Sequence, residues 1–524
     1  LSLNTVTDLL ELLLLLHFYT SPSSAISLRS SQLLKNSSKI IRFLLEMQES
    51  SRYTFGMLEK TRQIGNKKTL LVFFFINIYW LMALYPARMG ADAAGLFGII
   101  KNGQSTDWWT GAFYWFVKIS SLNGAFPFLT SILQLTILSS SLYYFINSLP
   151  FREKIRSRAL LLFSASPIYG FFGMSIAHDL TQTAGIILLL SIELRKLTGR
   201  LDGNRSLLLL WAFILLITTH TGILIILVAA ITQLHRIKIL NLMMILLTTL
   251  SLIFISSTGL KQGLNVHGDF IPSSNVKFHS MLAGLKCIAQ HPQAEISNDQ
   301  WEVLLKISTK EKWKTAVSCK DYDRQIEALD LSEMSYNFAN LDFVKTYLSV
   351  VAKNPALFAM SHIQRGRGVL PPIVFQRPDN QVELNVDLPV GISTNTAIQD
   401  GPQLLHQSID FPNAEASKPR IFSILEVPAQ GFAFLFNQAS WFWGWGGLWL
   451  TFSILIWIRI FPKVKIRRIL LASYPLSVMH ILLLCLLPAS VPRYYMFSIF
   501  VGVIMFLCVL LEFVFQREIR RETN

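Results

Sequence analysis

The sequence predicts an all-α, multi-pass membrane protein that carries a small mixed α/β domain outside the cytoplasm. Three observations predict this class. Of 524 residues, 52% are hydrophobic and only 15% charged, with mean hydropathy +0.43, whereas soluble domains run to roughly 25% charge. About ten segments meet or approach the ~20 apolar residues that a spanning helix needs. The connections between them alternate between basic and nearly uncharged, as expected if Lys and Arg stay on the cytoplasmic side.

Residues 1–66 precede the first strong span. The apolar run 9–19 lacks a basic leader and a small-residue cleavage site, and at half the needed length it is expected along the interface. Residues 21–38 are Ser-rich and loose, and 40–62 fit an amphipathic cytoplasmic helix. The spans are predicted at 69–87, 126–149, 159–176, 180–194, 205–219, 221–235, 238–260, 437–460, 469–487 and 494–516. The apolar run 206–233 is divided near Thr219 and His220, because a hairpin there keeps the charge alternation in step across the rest of the chain. The basic set includes Lys67, Lys68, Arg152, Lys154, Arg156, Arg195, Arg205, Arg236, Lys463, Arg467 and Arg517, so these ends are cytoplasmic.

This divides the chain into an N-terminal segment (1–66), a transmembrane core with a first outer loop at 88–125 (67–260), an outer domain (261–436) and the last spans with a cytoplasmic tail (437–524). The outer domain gathers Pro, Asn, Asp and Gln and is long enough for its own core. Residues 280–290 and 341–360 have helical periodicity, while 371–428 read as loops with short strands. Cys287 and Cys319 lie there, either as a disulfide or as two buried thiols, and neither pair of the four cysteines has metal-site spacing.

The net charge of +15 is mostly the orientation signal, reinforced by anionic headgroups. No basic stripe with interleaved aromatics suits nucleic acid. No Gly-rich phosphate loop, zinc-protease helix or nucleophile elbow is present, so soluble nucleotide chemistry is not expected. The loop 88–125 is too apolar for an exposed connection, and its aromatic stretch from Trp108 to Val117 predicts a helix at headgroup level.

Tyr85-Pro86 at the end of a span, then Asp92, a surface helix and Asp107-Trp108-Trp109, resembles the first outer loop of the GT-C glycosyltransferase superfamily, multi-pass enzymes that use polyprenyl-phosphate sugars. Ser166-Pro167 and His178-Asp179 flank the second outer loop, a large outer domain follows the seventh span, and Pro492-Arg493-Tyr494 opens the last one, in agreement with that layout. The chain resembles more closely bacterial relatives of that superfamily whose activity is not established. The resemblance spans most of residues 69–516 and implies transfer of a hexose or pentose from a polyprenyl-phosphate donor to a glycan, lipid or protein hydroxyl at the plasma membrane, on its outer side.

Under that resemblance Asp92 is the general base, since the phosphate leaving group needs little acid help; its plain alternative is a helix N-cap. Asp107, also a good N-cap, would bind acceptor hydroxyls, orient Asp92 or hold a divalent ion, and no other cofactor or metal is expected. Arg493 would bind the donor phosphate through its guanidinium, or else snorkel to headgroups. His178, Asp179 and His220 sit at hairpin tips as further substrate contacts, against simple solvation. Lys101, Lys118 and Arg88 more simply meet lipid phosphates, and the aromatics of 441–449 form an interfacial belt. Two other classes fit the same chain: a lipid-linked oligosaccharide polymerase or ligase relying on His362, Arg365 and Arg367, and a transporter or flippase. The near absence of charge in mid-span counts against transport.

Overall fold

The computed structural model describes residues 67–85, 87–89, 91–106, 109–199, 205–233, 239–261, 270–271, 276–319, 325–326, 328–329, 341–365, 388–389, 419–438, 444–461, 464–486 and 495–523. The described chain is mostly helical. Helix α1 (Lys67–Ala83) leads into the short α2 (Ala91–Lys101) and α3 (Gly111–Ser120), followed by α4 (Pro127–Ser148), α5 (Glu153–Ser164), α6 (Pro167–Met174) and α7 (His178–Leu197). A hairpin of α8 (Arg205–Leu216) and α9 (His220–Gln233) precedes α10 (Ile239–Lys261). Then come α11 (Val276–Ala289), α12 (Asn298–Leu305), α13 (Lys310–Lys314), α14 (Leu341–Lys353), α15 (Pro355–Arg365) and α16 (Arg420–Gln438). The chain closes with α17 (Gly446–Ile460), α18 (Ile466–Ala472), α19 (Tyr474–Leu486) and α20 (Met496–Thr523).

Where described, the segments predicted to span are largely helical, although within 437–460 the helix starts only at Gly446. By length and composition, Pro127–Ser148, Ile239–Ser257 and Met496–Glu518 are long and apolar enough to cross a membrane, and the bent pair α18 and α19 is a fourth if taken as one span. Two of the predicted spans are broken. The segment 159–176 divides where Ser166 caps α6, its hydroxyl accepting from the Tyr169 amide at 3.4 Å, with Pro167 at the first helical position. The segment 469–487 divides at Ser473, with a 61° bend between α18 and α19. Ser166-Pro167 is therefore a mid-segment break, separated from His178 by the whole of α6, and does not border the loop before α7.

Helix α7 is the axis of the main core: every residue from Asp179 to Arg195 is buried, and its apolar middle, Ala184 to Leu190, leaves no polar face for solvent. Helices α4, α8, α20 and α19 surround it. Basic residues collect at its C-terminal end. Arg195 donates to the Ser148 hydroxyl at 3.1 Å and stacks 3.9 Å from the Tyr144 ring centre. Gln233 donates to Glu193 at 2.5 Å and accepts from Arg205. Buried Arg156 donates to the Asn147 carbonyl at 3.0 Å, and Arg152 and Lys154 lie over Phe515. The Arg205 to Gln233 bond brings the start of α8 beside the end of α9, so the predicted hairpin forms, turning at residues 217–219.

Close packing elsewhere uses missing side chains. A Cβ at Gly170 would lie 2.2 Å from the Trp80 ring, and one at Gly446 2.3 Å from Tyr495. Trp80 is itself fixed by its indole N–H, which donates to the Ser164 carbonyl at 2.8 Å. Trp445 and Trp449 are buried against the last helix and belong to the core, not to the expected aromatic belt.

The described residues of the insertion 261–436 are helical and have their own core of Leu282, Ile288, Leu304, Trp313, Phe343 and Val350. Its two dipeptide strands, β3 (Phe270–Ile271) and β4 (Leu388–Pro389), pair with β2 (Ser105–Thr106) and β1 (Arg88–Met89) of the first loop and form no sheet of their own. Helix α16 also replaces the loops predicted up to residue 428. Cys287 and Cys319 are disulfide-bonded, with Cα atoms 5.5 Å apart. Beside them the fully buried Lys286 donates to the carbonyls of Trp313 (3.1 Å) and Thr315. Burial lowers its pKa to about 8 from 10.5.

Two outcomes are expected. Gly170→Ala should destabilise the helical core by ~1–3 kcal/mol through overpacking against Trp80, read as a lower Tm in detergent. For Lys286 the unfolded chain holds a proton that the folded chain releases, so its contribution to stability should rise between pH 8 and 10.5. Lys286→Met should flatten that slope in chemical denaturation.

Candidate functional site

The end of the core opposite the basic cluster carries the residues singled out by sequence. Helix α7 starts there at His178, whose Nε2 lies 3.3 Å from Oδ1 of Asp179. Asp179 is buried, whereas the His178 side chain keeps 26% of its exposure. One turn along, the Thr181 hydroxyl meets that of Thr218 at 2.7 Å, and Gln182 donates to the Thr221 hydroxyl at 2.7 Å. The α8–α9 turn is thereby pinned to the start of α7. His220, exposed as the first residue of α9, stands at the same end. Gln134 of α4 donates to the Ala177 carbonyl at 2.8 Å, and its buried Oε1 has no hydrogen-bond partner among the described residues. The result is a floor of neutral polar groups between helix starts, where backbone N–H groups are left over.

The first loop folds over this floor. Ala93, Leu96, Phe97 and Ile100 of α2 share an apolar core with Phe113, Tyr114 and Val117 of α3, and Ile176, two residues before His178, completes it. The Phe113 ring meets the His178 ring edge-on, with centres 5.7 Å apart. Helix α3 begins with Thr110 as its cap, the hydroxyl accepting from the Phe113 amide at 3.3 Å. The cap is therefore not Asp107, which lies outside the described residues, as does Arg493. Helix α2 starts at Ala91, so Asp92 occupies its first turn, not the position before it. There the helix dipole favours a negative charge.

Helix α3 also leans on α10. A Cβ at Gly111 would fall 2.6 Å from the backbone carbonyl of Ser256, and the Trp115 indole donates to that carbonyl at 3.3 Å. Lys118 is buried with its ammonium 5.0 Å from the Trp115 ring centre and 5.7 Å from that of Tyr114, so it is packed on aromatic rings where lipid phosphate had been expected. Burial lowers its pKa and raises that of Tyr114 to about 12. The Tyr114 hydroxyl donates to the Gln104 carbonyl at 2.8 Å. Tyr85 is held between Phe128 and Phe422, at 4.8 and 5.3 Å between ring centres.

No group of three or more metal-binding side chains occurs among the described residues. Of the alternative cation set, His362 lies tilted against Phe358 with ring centres 4.2 Å apart, and Arg365 ends α15, while Arg367 lies outside the described residues. Sequence reasoning missed Gln134, Thr181, Gln182 and Thr218. Their signal was polar residues at the very ends of apolar runs. No known family model matches the chain, and neither a curated protein nor a solved structure does so.

Gly111→Ala cannot be accommodated against backbone and should separate α3 from α10. The expected readout is faster protease cleavage in residues 101–125, with the core Tm changed by less than that of Gly170→Ala.

Proposed function

We propose that the protein is a membrane glycosyltransferase that moves a sugar from a polyprenyl-phosphate donor to an acceptor hydroxyl on the outer side of the plasma membrane. One observation supports the reading: the helix pair of the first loop shares an apolar core with Ile176, and Phe113 of α3 meets His178, so the helix with Asp92 in its first turn is tied to the end of the core where α7 starts. The ten-span arrangement, with the basic end cytoplasmic and the insertion, mixed α/β where complete, outside, is part of the same proposal. Its support is the grouping of Arg152, Arg156, Arg195 and Arg205 at one end and of the candidate site at the other.

In this reaction the Asp92 carboxylate takes the proton of the acceptor hydroxyl as its oxygen attacks the anomeric carbon. The bond from that carbon to the phosphate oxygen breaks, and polyprenyl phosphate departs with the electron pair. Arg493 pairs with the phosphate charge, and the start of α7, with His178, Asp179 and nearby His220, binds substrate oxygens. Asp107 orients Asp92 or holds a divalent cation. A floor of neutral hydroxyls and amides suits a sugar, which offers donors and acceptors without net charge.

The test is complementation of a deletion strain, read by mass spectrometry of surface glycans and of polyprenyl-phosphate sugars. The wild-type chain should restore the glycan. Asp92→Asn, present at normal level, should lower transfer by ~10²–10⁴-fold and leave the lipid-phosphate sugar accumulating. Full restoration by Asp92→Asn would sink the proposal, and failure of Arg365→Ala alone would point to a lipid-linked polymerase or ligase.

A further inference from the structure

Helix α16 is built the wrong way round for a helix in water. Past Arg420 at its start, its exposed residues are Ile421, Ile424, Val427, Pro428, Gly431, Phe432 and Phe434, with Ser423 the one polar side chain among them, and Val427 is 71% and Phe434 64% exposed. Its half-buried face carries Glu426 and Gln430, whose amide donates to the Glu426 carboxylate at 3.2 Å, alongside the fully buried Ala429 and Ala433. A helix of a soluble domain turns its apolar stripe inward and its polar stripe to solvent. The reversal holds over about four turns, from Ile421 to Phe434, at steps of three and four residues.

The helix is also attached to the membrane part of the protein. It packs along α1 and α6. Phe422 meets Tyr85 just past the end of α1, and the Tyr79 hydroxyl donates to the Leu425 carbonyl at 3.4 Å. That bond falls next to Pro428, which has no N–H to offer the carbonyl of Ile424, so a polar donor reaches the backbone where the helix ladder is interrupted. The outward face of α1 is equally apolar and exposed, through Leu71, Val72, Phe74 and Phe75.

We propose that α16 is embedded in the bilayer and that its outward face is covered by lipid acyl chains, continuous with the lipid-facing side of α1. The insertion would then end inside the membrane and not at its surface. The occupant is acyl chain because the face is continuous with α1 and, beyond the exposed Arg420 at the helix start, carries no charge from Ile421 to Phe434. At 19 residues and ~1.5 Å each the helix is long enough to reach deep into the hydrocarbon. This rests on the reading of the chain as a membrane protein, and the experiment separates the two.

Single cysteines are placed at Ile424, Val427 and Phe434 in a background without Cys485 and Cys508, the full chain is left in native membranes, and a membrane-impermeant maleimide is applied from both faces. Phe254→Cys on α10 is the lipid reference and Lys306→Cys on the insertion the water reference. The three α16 positions should react at least about tenfold more slowly than Lys306→Cys, as Phe254→Cys does, since a thiol in apolar surroundings loses its thiolate. Reaction of all three at the Lys306→Cys rate, with Phe254→Cys protected, overturns the inference and leaves the membrane reading intact. Reaction of Phe254→Cys as well overturns the membrane reading itself. Protection accompanied by disulfide-linked dimers at Val427→Cys means that a second copy covers the face, which also overturns the proposal.

Discussion

Helix α7 imposes the constraint on which the rest depends. It is buried on every side over seventeen consecutive residues, Asp179 to Arg195, and its sequence is not apolar throughout. Asp179, Thr181 and Gln182 stand at one end, Glu193 and Arg195 at the other. A buried polar group costs several kcal/mol unless it is bonded, so each end recruits partners: Thr218 and Thr221 from the α8–α9 turn above, Gln233 and Ser148 below. The stretch from Ala184 to Leu190 needs none and is filled by Ile, Leu, Ala and Gly. One helix thus decides which end of the bundle is basic, and which end gathers hydroxyls and amides around Asp179.

The difference between the two ends is also chemical. At the basic end guanidinium groups are hydrogen-bonded to a hydroxyl, a carbonyl and an amide or packed on aromatic rings, a connected polar network. At the other end hydroxyls and amides dominate, and His178 and His220 keep some contact with solvent. An apolar cap formed by α2 and α3 covers part of that floor. Covering polar groups with an apolar lid strengthens the interactions made beneath it, because water no longer competes.

Much of this was legible in the sequence. The helices and the α8–α9 hairpin follow from apolar run lengths and from charge alternation, both of which reflect a solvent that offers no hydrogen bonds. The disulfide was one of two open readings. The breaks before Pro167 and at Ser473 escaped because the apolar run continues across them, although a Ser followed by Pro in such a run is itself a helix-start signal. Helix α16 escaped for the opposite reason. Glu426, Pro428 and Gln430 look like loop or soluble-domain residues in one dimension, and only the inward direction of Glu426 and Gln430 shows otherwise. The floor around Gln134 and Thr181 needed the fold, since its members come from three separated stretches.

The two dipeptide ladders flank α2 on either side. Strand β1 precedes it and takes β4 as partner, strand β2 follows it and takes β3, and the partners come from opposite parts of the insertion. The insertion is therefore not a transplantable module. Replacing it with a version of different span would pull the two moorings of α2 to new separations and tilt the helix that bears residue 92. A change in a segment nearly two hundred positions or more away can thus reposition α2 with no change to the loop that holds it.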